Sequence, residues 1–217
     1  MNSNWLFSDG RTLPVGTMYC IGRNYAAHAK EMGAEVVDEP IVFIKPPAAY
    51  RDSGSSILLP SFSSDIHHEV ELVVVIGKDT DGCAVDCAID HVAGITVGID
   101  LTARDIQSAA KHSGHPWAVA KSWSGSAPCG AVIPIEEAGT GPWNLSLHVD
   151  GEIRQRGSTS HMERSVEQLV SYLANVFTLR AGDCVFTGTP EGVGPVRAGQ
   201  TVKACLDDIA SLTVTCL

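Results

Sequence analysis

The chain has 217 residues, enough for one substantial core, and its 44% hydrophobic and 18% charged residues carry no disorder signature. A net charge of −10 without any Lys/Arg cluster excludes a nucleic-acid surface. No window approaches the roughly 20 apolar residues of a membrane span, and Met1-Asn2-Ser3-Asn4-Trp5 does not open a signal peptide, so a cytoplasmic protein is expected.

In chain order, β-type runs dominate. Thr17–Ile21 and Ile41–Ile44 flank a short Ala-rich helix predicted over Asn24–Met32, with Gly33 as its C-cap. Leu72–Ile76 and Ile95–Ile99 read as buried strands. Thr102-Ala103-Arg104-Asp105 has the spacing of a capping box and predicts a helix to about Lys111. Leu145–Val149 and Glu152-Ile153-Arg154 are joined by Asp150-Gly151, a hairpin turn. Ser165-Val166-Glu167-Gln168 is a second capping box and opens the longest helix, to about Phe177. Cys184–Thr187, Thr201–Leu206 and Ser211–Cys216 complete the strands, the last two linked around Asp207-Asp208. Strands outnumber helices and do not alternate with them, which disfavours a doubly wound parallel sheet and predicts a β-rich α+β roll or sandwich. The seven cysteines, odd in number and scattered, read as reduced thiols.

Glu69-Val70-Glu71 heads the Leu72–Ile76 run. Strand side chains alternate, so both carboxylates point one way. Two like charges at the edge of a core repel and are costly to desolvate, so a cation between them is expected. A hard divalent ion with oxygen ligands suits them, with Asp100 as a third carboxylate. The alternative is an exposed E-x-E pair on an edge strand, with Asp100 capping a helix. His67 would share the face of Glu69 and Glu71 and could steady one of these carboxylates by hydrogen bond. Arg104 and Lys121 are the cations available to offset the acidic set.

His28 and Glu31, three apart on the first helix, share a face. A carboxylate that holds an imidazole fixes its tautomer and equips it as a general base for water. An incidental pair on an exposed helix is the other reading. Thr187-Gly188-Thr189-Pro190-Glu191-Gly192-Val193-Gly194 follows a strand but lacks the Lys of a P-loop. It reads either as a loop that grips a carboxylate or as a tight turn. No Gly-x-Ser-x-Gly elbow occurs, so covalent catalysis is not supported.

Taken in order, Ile21-Gly22-Arg23-Asn24-Tyr25 with His28 and Glu31, Phe43-Ile44-Lys45-Pro46-Pro47, His67-His68-Glu69-Val70-Glu71-Leu72, Gly98-Ile99-Asp100-Leu101-Thr102-Ala103-Arg104-Asp105, Lys121-Ser122 and the Thr187–Gly194 loop form one set. That set resembles the fumarylacetoacetate hydrolase superfamily, in its short branch of acylpyruvases and oxaloacetate decarboxylases. The resemblance implies residues 1–16 as an N-terminal extension and 17–217 as a single catalytic domain. Its fold would be the mixed β-sandwich roll of the family's C-terminal domain, usually a homodimer. It further implies Mg²⁺ or Mn²⁺ held by Glu69, Glu71 and Asp100, and a catalytic set of His28, Glu31 and Lys121. Arg23, Arg104, Gln107 and Thr189 would bind a small anionic oxo-acid, and the His28–Glu31 segment would be a lid. One departure is Ala48-Ala49 after Lys45-Pro46-Pro47, where relatives often carry a hydroxyl residue. The activity implied is metal-dependent C–C hydrolysis of 3-acylpyruvates to pyruvate and a carboxylate through a stabilised enolate. Oxaloacetate decarboxylation and oxo-acid isomerisation or tautomerisation are the alternatives on the same site. A non-catalytic oxo-acid or metal-binding protein is a remote one.

Overall fold

The computed structural model describes residues 3–33 and 38–217. Two of the sixteen residues expected as an N-terminal extension, Met1 and Asn2, lie outside that range. The architecture is β-rich α+β, as expected, with two large mixed sheets. One runs in the order Ile41–Lys45, Met18–Gly22, Cys184–Phe186, Val70–Ile76, Val92–Ile99, Ala127–Cys129, Tyr50–Asp52. The other runs Glu152–Ser158, Asn144–Val149, Thr201–Leu206, Ala210–Cys216, Ser56–Ile57. Smaller sheets are formed by Thr102–Ala103, Ile66–His68 and Gly194–Val196, and by the N-terminal pair Asn4–Leu6 and Thr12–Pro14.

The run Val70–Ile76 is apolar apart from Glu71 because it is buried on both faces. Val70, Leu72, Val74 and Ile76 face a core shared with Leu147, Val202 and Leu212 of the second sheet. Val73 and Val75 join a separate core with Trp5, Met18, Cys20 and Phe186. Trp5 from the N-terminal pair seals that second core, its indole N–H donating to Gly182 O at 2.8 Å. All seven cysteines are unpaired. No helix among the described residues is long and apolar enough to cross a membrane.

Among the described residues four α-helices decorate the sheets: α1 Ala26–Glu31, α2 Arg104–Ser113, α3 Ala118–Lys121 and α4 Val166–Phe177. The capping box expected at Ser165 is present in both directions and starts α4. Asp150 and Gly151 both take positive φ, 51° and 85°, as a two-residue hairpin turn requires. The capping box expected at Thr102 is not formed. Thr102 and Ala103 pair with His67 and Ile66 as a short strand, so α2 starts later, at Arg104. The Thr102 hydroxyl donates to Asp100 O, and the Asp105 carboxylate accepts from the Ser63 hydroxyl and from the amides of Ser64 and Ile106. Sheet pairing outcompetes the local cap because it satisfies two backbones at once.

Candidate active site

Cross-strand register assembles the acidic set. Val70–Ile76 pairs antiparallel with Val92–Ile99, Val70 opposite Ile99, so the residues that flank the pair, Glu69 and Asp100, face each other. Asp100 N–H donates to Glu69 O at 2.8 Å and locks that end. Glu71 stands two residues further in, and carboxylate oxygens of the three residues lie within 4.8 Å of one another. Glu69 falls in a break between the strands Ile66–His68 and Val70–Ile76, so strand alternation does not run unbroken from His67 to Glu71.

Every acid has a specific neighbour. Lys121, at the end of α3, places Nζ 2.8 Å from Glu69 Oε2 and 2.5 Å from Asp100 Oδ2. Arg104, the first residue of α2, donates to Glu69 Oε1 and, at 2.6 Å, to Gln107 Oε1 one turn on. Glu71 Oε2 accepts the Gly188 amide at 2.7 Å. Gly188 has φ +98°, and a Cβ there would lie 2.9 Å from Asn24 Cβ, so only glycine brings this amide so close. Burial opposes charge on Glu69, but Lys121 and Arg104 outweigh it and hold the carboxyl well below its ordinary range. Glu71 goes the other way: burial first, then the charges of Asp100 and Glu69, push it well above. Burial works against the Lys121 charge too, yet Asp100 and Glu69 raise its proton affinity.

Sequence reading assigned no role to Lys45. Its side chain is fully buried, and Nζ donates to Ser126 Oγ at 2.9 Å, to Ser126 O at 3.1 Å and to Lys121 O. Nζ also lies 2.9 Å from Asp100 Oδ1, in an ion contact without hydrogen-bond alignment. That oxygen therefore keeps its lone pairs undonated although it is buried. A buried carboxylate oxygen that accepts no hydrogen bond, a neighbouring carboxyl pushed well above its ordinary range and an all-oxygen donor set together fit a hard divalent cation. Glu69, Glu71 and Asp100 can hold one. The only signal for Lys45 in the sequence was its place in a motif, because a Lys ending an apolar strand ordinarily snorkels to solvent.

Above the acids, α1 presents His28 to the same cavity. His28 Nδ1 is 3.3 Å from Glu31 Oε2, and both Glu31 oxygens accept the Gly192 amide, at 3.1 and 3.2 Å. Gly192 has φ +92°, and a Cβ there would meet Arg154 O at 2.5 Å. Asn24 ties the start of α1 to the same loop, donating to Thr187 O at 2.9 Å. The cavity measures about 40 Å³, and Arg23, Gln107, Thr189 and Lys111 also line it. Lys111 is a further residue that sequence reading passed over. It lies 5.2 Å from the Trp117 ring centroid, in a cation–π contact. Burial first, then Arg104, Lys121 and Arg23, lower its proton affinity. Arg104 Nε is buried without a hydrogen-bond acceptor among the described residues.

The structure thus brings His28, Glu69, Glu71, Arg23, Arg104, Gln107, Lys121 and Thr189 to one cavity, with Asp100 directly behind and Glu31 holding His28. His67 is the correction. Its Nε2 pairs with Asp65 Oδ1 at 3.0 Å, and no hydrogen bond joins it to the three acids among the described residues. The break at Glu69 removes the shared face on which that expectation rested. His68 turns inward instead, its Nδ1 2.9 Å from Gln155 Oε1.

Residues 17–216 match the family model described as fumarylacetoacetate (FAA) hydrolase C-terminal. The chain is 43% identical over 194 residues to mouse oxaloacetate tautomerase FAHD1, mitochondrial, covering 89% of this chain and 88% of that protein. It is 43% identical over 196 residues to oxaloacetate tautomerase YcgM of Escherichia coli, covering 89% and 90%. Among solved structures, fumarylpyruvate hydrolase from Pseudomonas aeruginosa, in complex with Mn²⁺ and pyruvate, superposes with a TM-score of 0.95 at 40% identity, covering 100% of this chain and 96% of that one. The carboxylate triad, its cations and this match over nearly the whole length place the chain in the fumarylacetoacetate hydrolase family of enzymes.

Proposed function

We propose that this enzyme interconverts the enol and keto forms of oxaloacetate. The observation that carries the reading is His28, held by Glu31 over the carboxylate triad of a small cavity rich in cations. Sequence reading put acylpyruvate hydrolysis first; the charge of the cavity moves oxaloacetate ahead. Lys45, Lys121 and Arg104 pair with Glu69 and Asp100, and Lys111 adds a positive charge with no acidic ion-pair partner among the described residues. That surplus favours a dicarboxylate. Both curated relatives described above carry the name oxaloacetate tautomerase.

In this reading Arg104, through its unpartnered Nε–H, and Thr189 bind carboxylate oxygens, and Lys121 lies beside the 2-oxo oxygen. The Glu31 carboxylate can only accept, so it keeps the proton on His28 Nδ1 and leaves Nε2 as the base. Nε2 removes a proton from C3 as the keto form becomes the enol, and O2 gains one; the reverse reaction returns both. A divalent cation held by Glu69, Glu71 and Asp100 would supply a Lewis acid that favours the enolate. Closure of α1 over the cavity, fixed by the Gly192 amide, excludes water from the proton transfer.

Hydrolysis of 3-acylpyruvates is the second reading, and the His28–Glu31 pair favours it because the same Nε2 can activate a water. The test is a parallel assay of enol-to-keto conversion of oxaloacetate, pyruvate release from oxaloacetate, and cleavage of acetylpyruvate. Each is run with Mg²⁺, Mn²⁺ or EDTA, on wild type and His28→Ala. The expected result is metal-dependent tautomerisation that drops at least about tenfold in the variant. Acetylpyruvate cleavage alone would install the hydrolase reading, pyruvate release surviving His28→Ala would mark a decarboxylase, and no turnover would discard all three.

We infer a homodimer as well. Ile44 on the edge strand Ile41–Lys45 is 44% exposed and shares an apolar groove with Trp117 and Phe177. Light scattering should give twice the chain mass; a monomer at micromolar concentration would reject this.

A further inference from the structure

The strand Glu152–Ser158 contributes a residue with no part in the chemistry above. Gln155 is 1% exposed, and its amide makes four contacts. Oε1 accepts from Val70 N–H at 3.0 Å and lies 2.9 Å from His68 Nδ1. Nε2 donates to Pro190 O and to Thr189 Oγ1, both at 2.9 Å. The orientation of this amide is not free: Val70 N–H can only donate and the Pro190 carbonyl can only accept. A flipped amide would set two donors against each other at one end and two acceptors at the other.

Thr189 Oγ1 must therefore accept from Gln155, and its own hydroxyl hydrogen is left over. Thr189 is 4% exposed and lines the cavity, and no protein acceptor for that hydrogen is found among the described residues. A buried hydroxyl donor needs an acceptor. A substrate oxygen that brings a lone pair satisfies it, whereas a group that offers only an N–H leaves that hydrogen without an acceptor.

We propose that Gln155 is a positioning residue that sets the hydrogen-bond polarity of the cavity. By occupying a lone pair of Thr189 from behind it leaves the hydroxyl hydrogen as the group in need of a partner, so the site favours substrates with an ionised carboxylate or carbonyl oxygen at that point. The proposal rests on the oxo-acid reading above and deepens it by naming what Thr189 demands of the substrate. Because Gln155 reaches the substrate only through Thr189, the two residues should be energetically coupled.

The test is a double-mutant cycle of Gln155→Met and Thr189→Val, with Thr189→Ser as the conservative variant. Steady-state KM and kcat for oxaloacetate are measured alongside oxalate affinity by calorimetry with Mg²⁺ present, and thermal melts report folding. Gln155→Met is expected to raise KM and weaken oxalate about tenfold, with kcat changed less than about threefold, the size of one lost buried hydrogen bond. Thr189→Val should do the same, the double variant should be no worse than either single, and Thr189→Ser should restore affinity. Effects that multiply in the double variant, or an unchanged KM in Gln155→Met, would overturn the proposal. If Gln155→Met does not fold, Gln155→Glu keeps the volume and must raise KM in the Thr189 background but not in the Thr189→Val one; any other pattern overturns it. Failure of the wild type to turn over oxaloacetate or bind oxalate would count against the oxo-acid reading itself, which keeps the two failures apart.

Discussion

Lys45 ends an edge strand with its whole side chain buried, at a point where a lysine costs several kcal/mol to desolvate unless fully partnered. The oxygens of Ser126, Lys121 and Asp100 supply that partnering, so Lys45 joins α3 and the acidic set to the sheet. Lys45→Met should cost about 3 kcal/mol or more in urea unfolding of the metal-free protein, because it leaves Asp100 and three other oxygens short of a partner. An unchanged unfolding midpoint would mean that Lys45 is a bystander. Lys111 makes a different expectation, since it touches Trp117 and not the acids. Lys111→Gln should raise KM for a dicarboxylate at least about fivefold and leave a monocarboxylate oxo-acid within about twofold, as expected for one partly screened charge. Equal effects on both substrates would remove it from the recognition of a second carboxylate.

At the scale of elements, the Thr187–Gly194 loop is the common support. It gives one amide to Glu71 and another to Glu31, and it is held from behind by Asn24 and Gln155. The acidic set and the His28 dyad are thereby positioned by one backbone segment. Gly188→Ala tests this. It puts a Cβ into the left-handed region and against Asn24, which costs about 1–3 kcal/mol, and it pulls the amide from Glu71. Both the melting temperature and the metal affinity should fall, and a change in neither would show that the loop adapts freely. The loop's glycines and Thr189 were visible in the sequence, which left open a carboxylate-gripping loop or a tight turn. What the loop grips in the fold is the protein's own Glu71 and Glu31, a contact between segments more than a hundred residues apart in the chain.

At the scale of the whole molecule, the acidic set sits where strands far apart in the chain converge, so metal binding and folding should be linked. Mg²⁺ or Mn²⁺ at a hundredfold excess over Kd should add about 2.7 kcal/mol of stability, reversed by EDTA. The pH dependence follows from Glu71, whose carboxyl is pushed well above its ordinary range by burial and by the charges of Asp100 and Glu69. Below that raised pKa Glu71 keeps a proton, which the cation must displace. Apparent metal affinity should therefore fall as pH falls, by up to about tenfold per unit, and level off once pH exceeds the folded pKa. Calorimetry in buffers of different ionisation enthalpy would register the released proton. Binding independent of pH, with no proton release, would contradict a protonated Glu71.

The sequence alone determined the longer strands, the α4 capping box, the Asp150-Gly151 turn and the chemical types at the site, but not short strands such as Tyr50–Asp52 and Ala127–Cys129. These are local properties, readable from periodicity and from residues close in the chain. Six motifs in register also carried the family. Only the tertiary structure decided which charges meet. Cross-strand register set Glu69 against Asp100, and a break at Glu69 turned His67 out to Asp65 and His68 in to Gln155. Sheet pairing replaced the expected cap at Thr102. Lys45, Lys111 and Gln155 emerged only in the fold, because a long polar side chain defaults to solvent until distant segments surround it with partners.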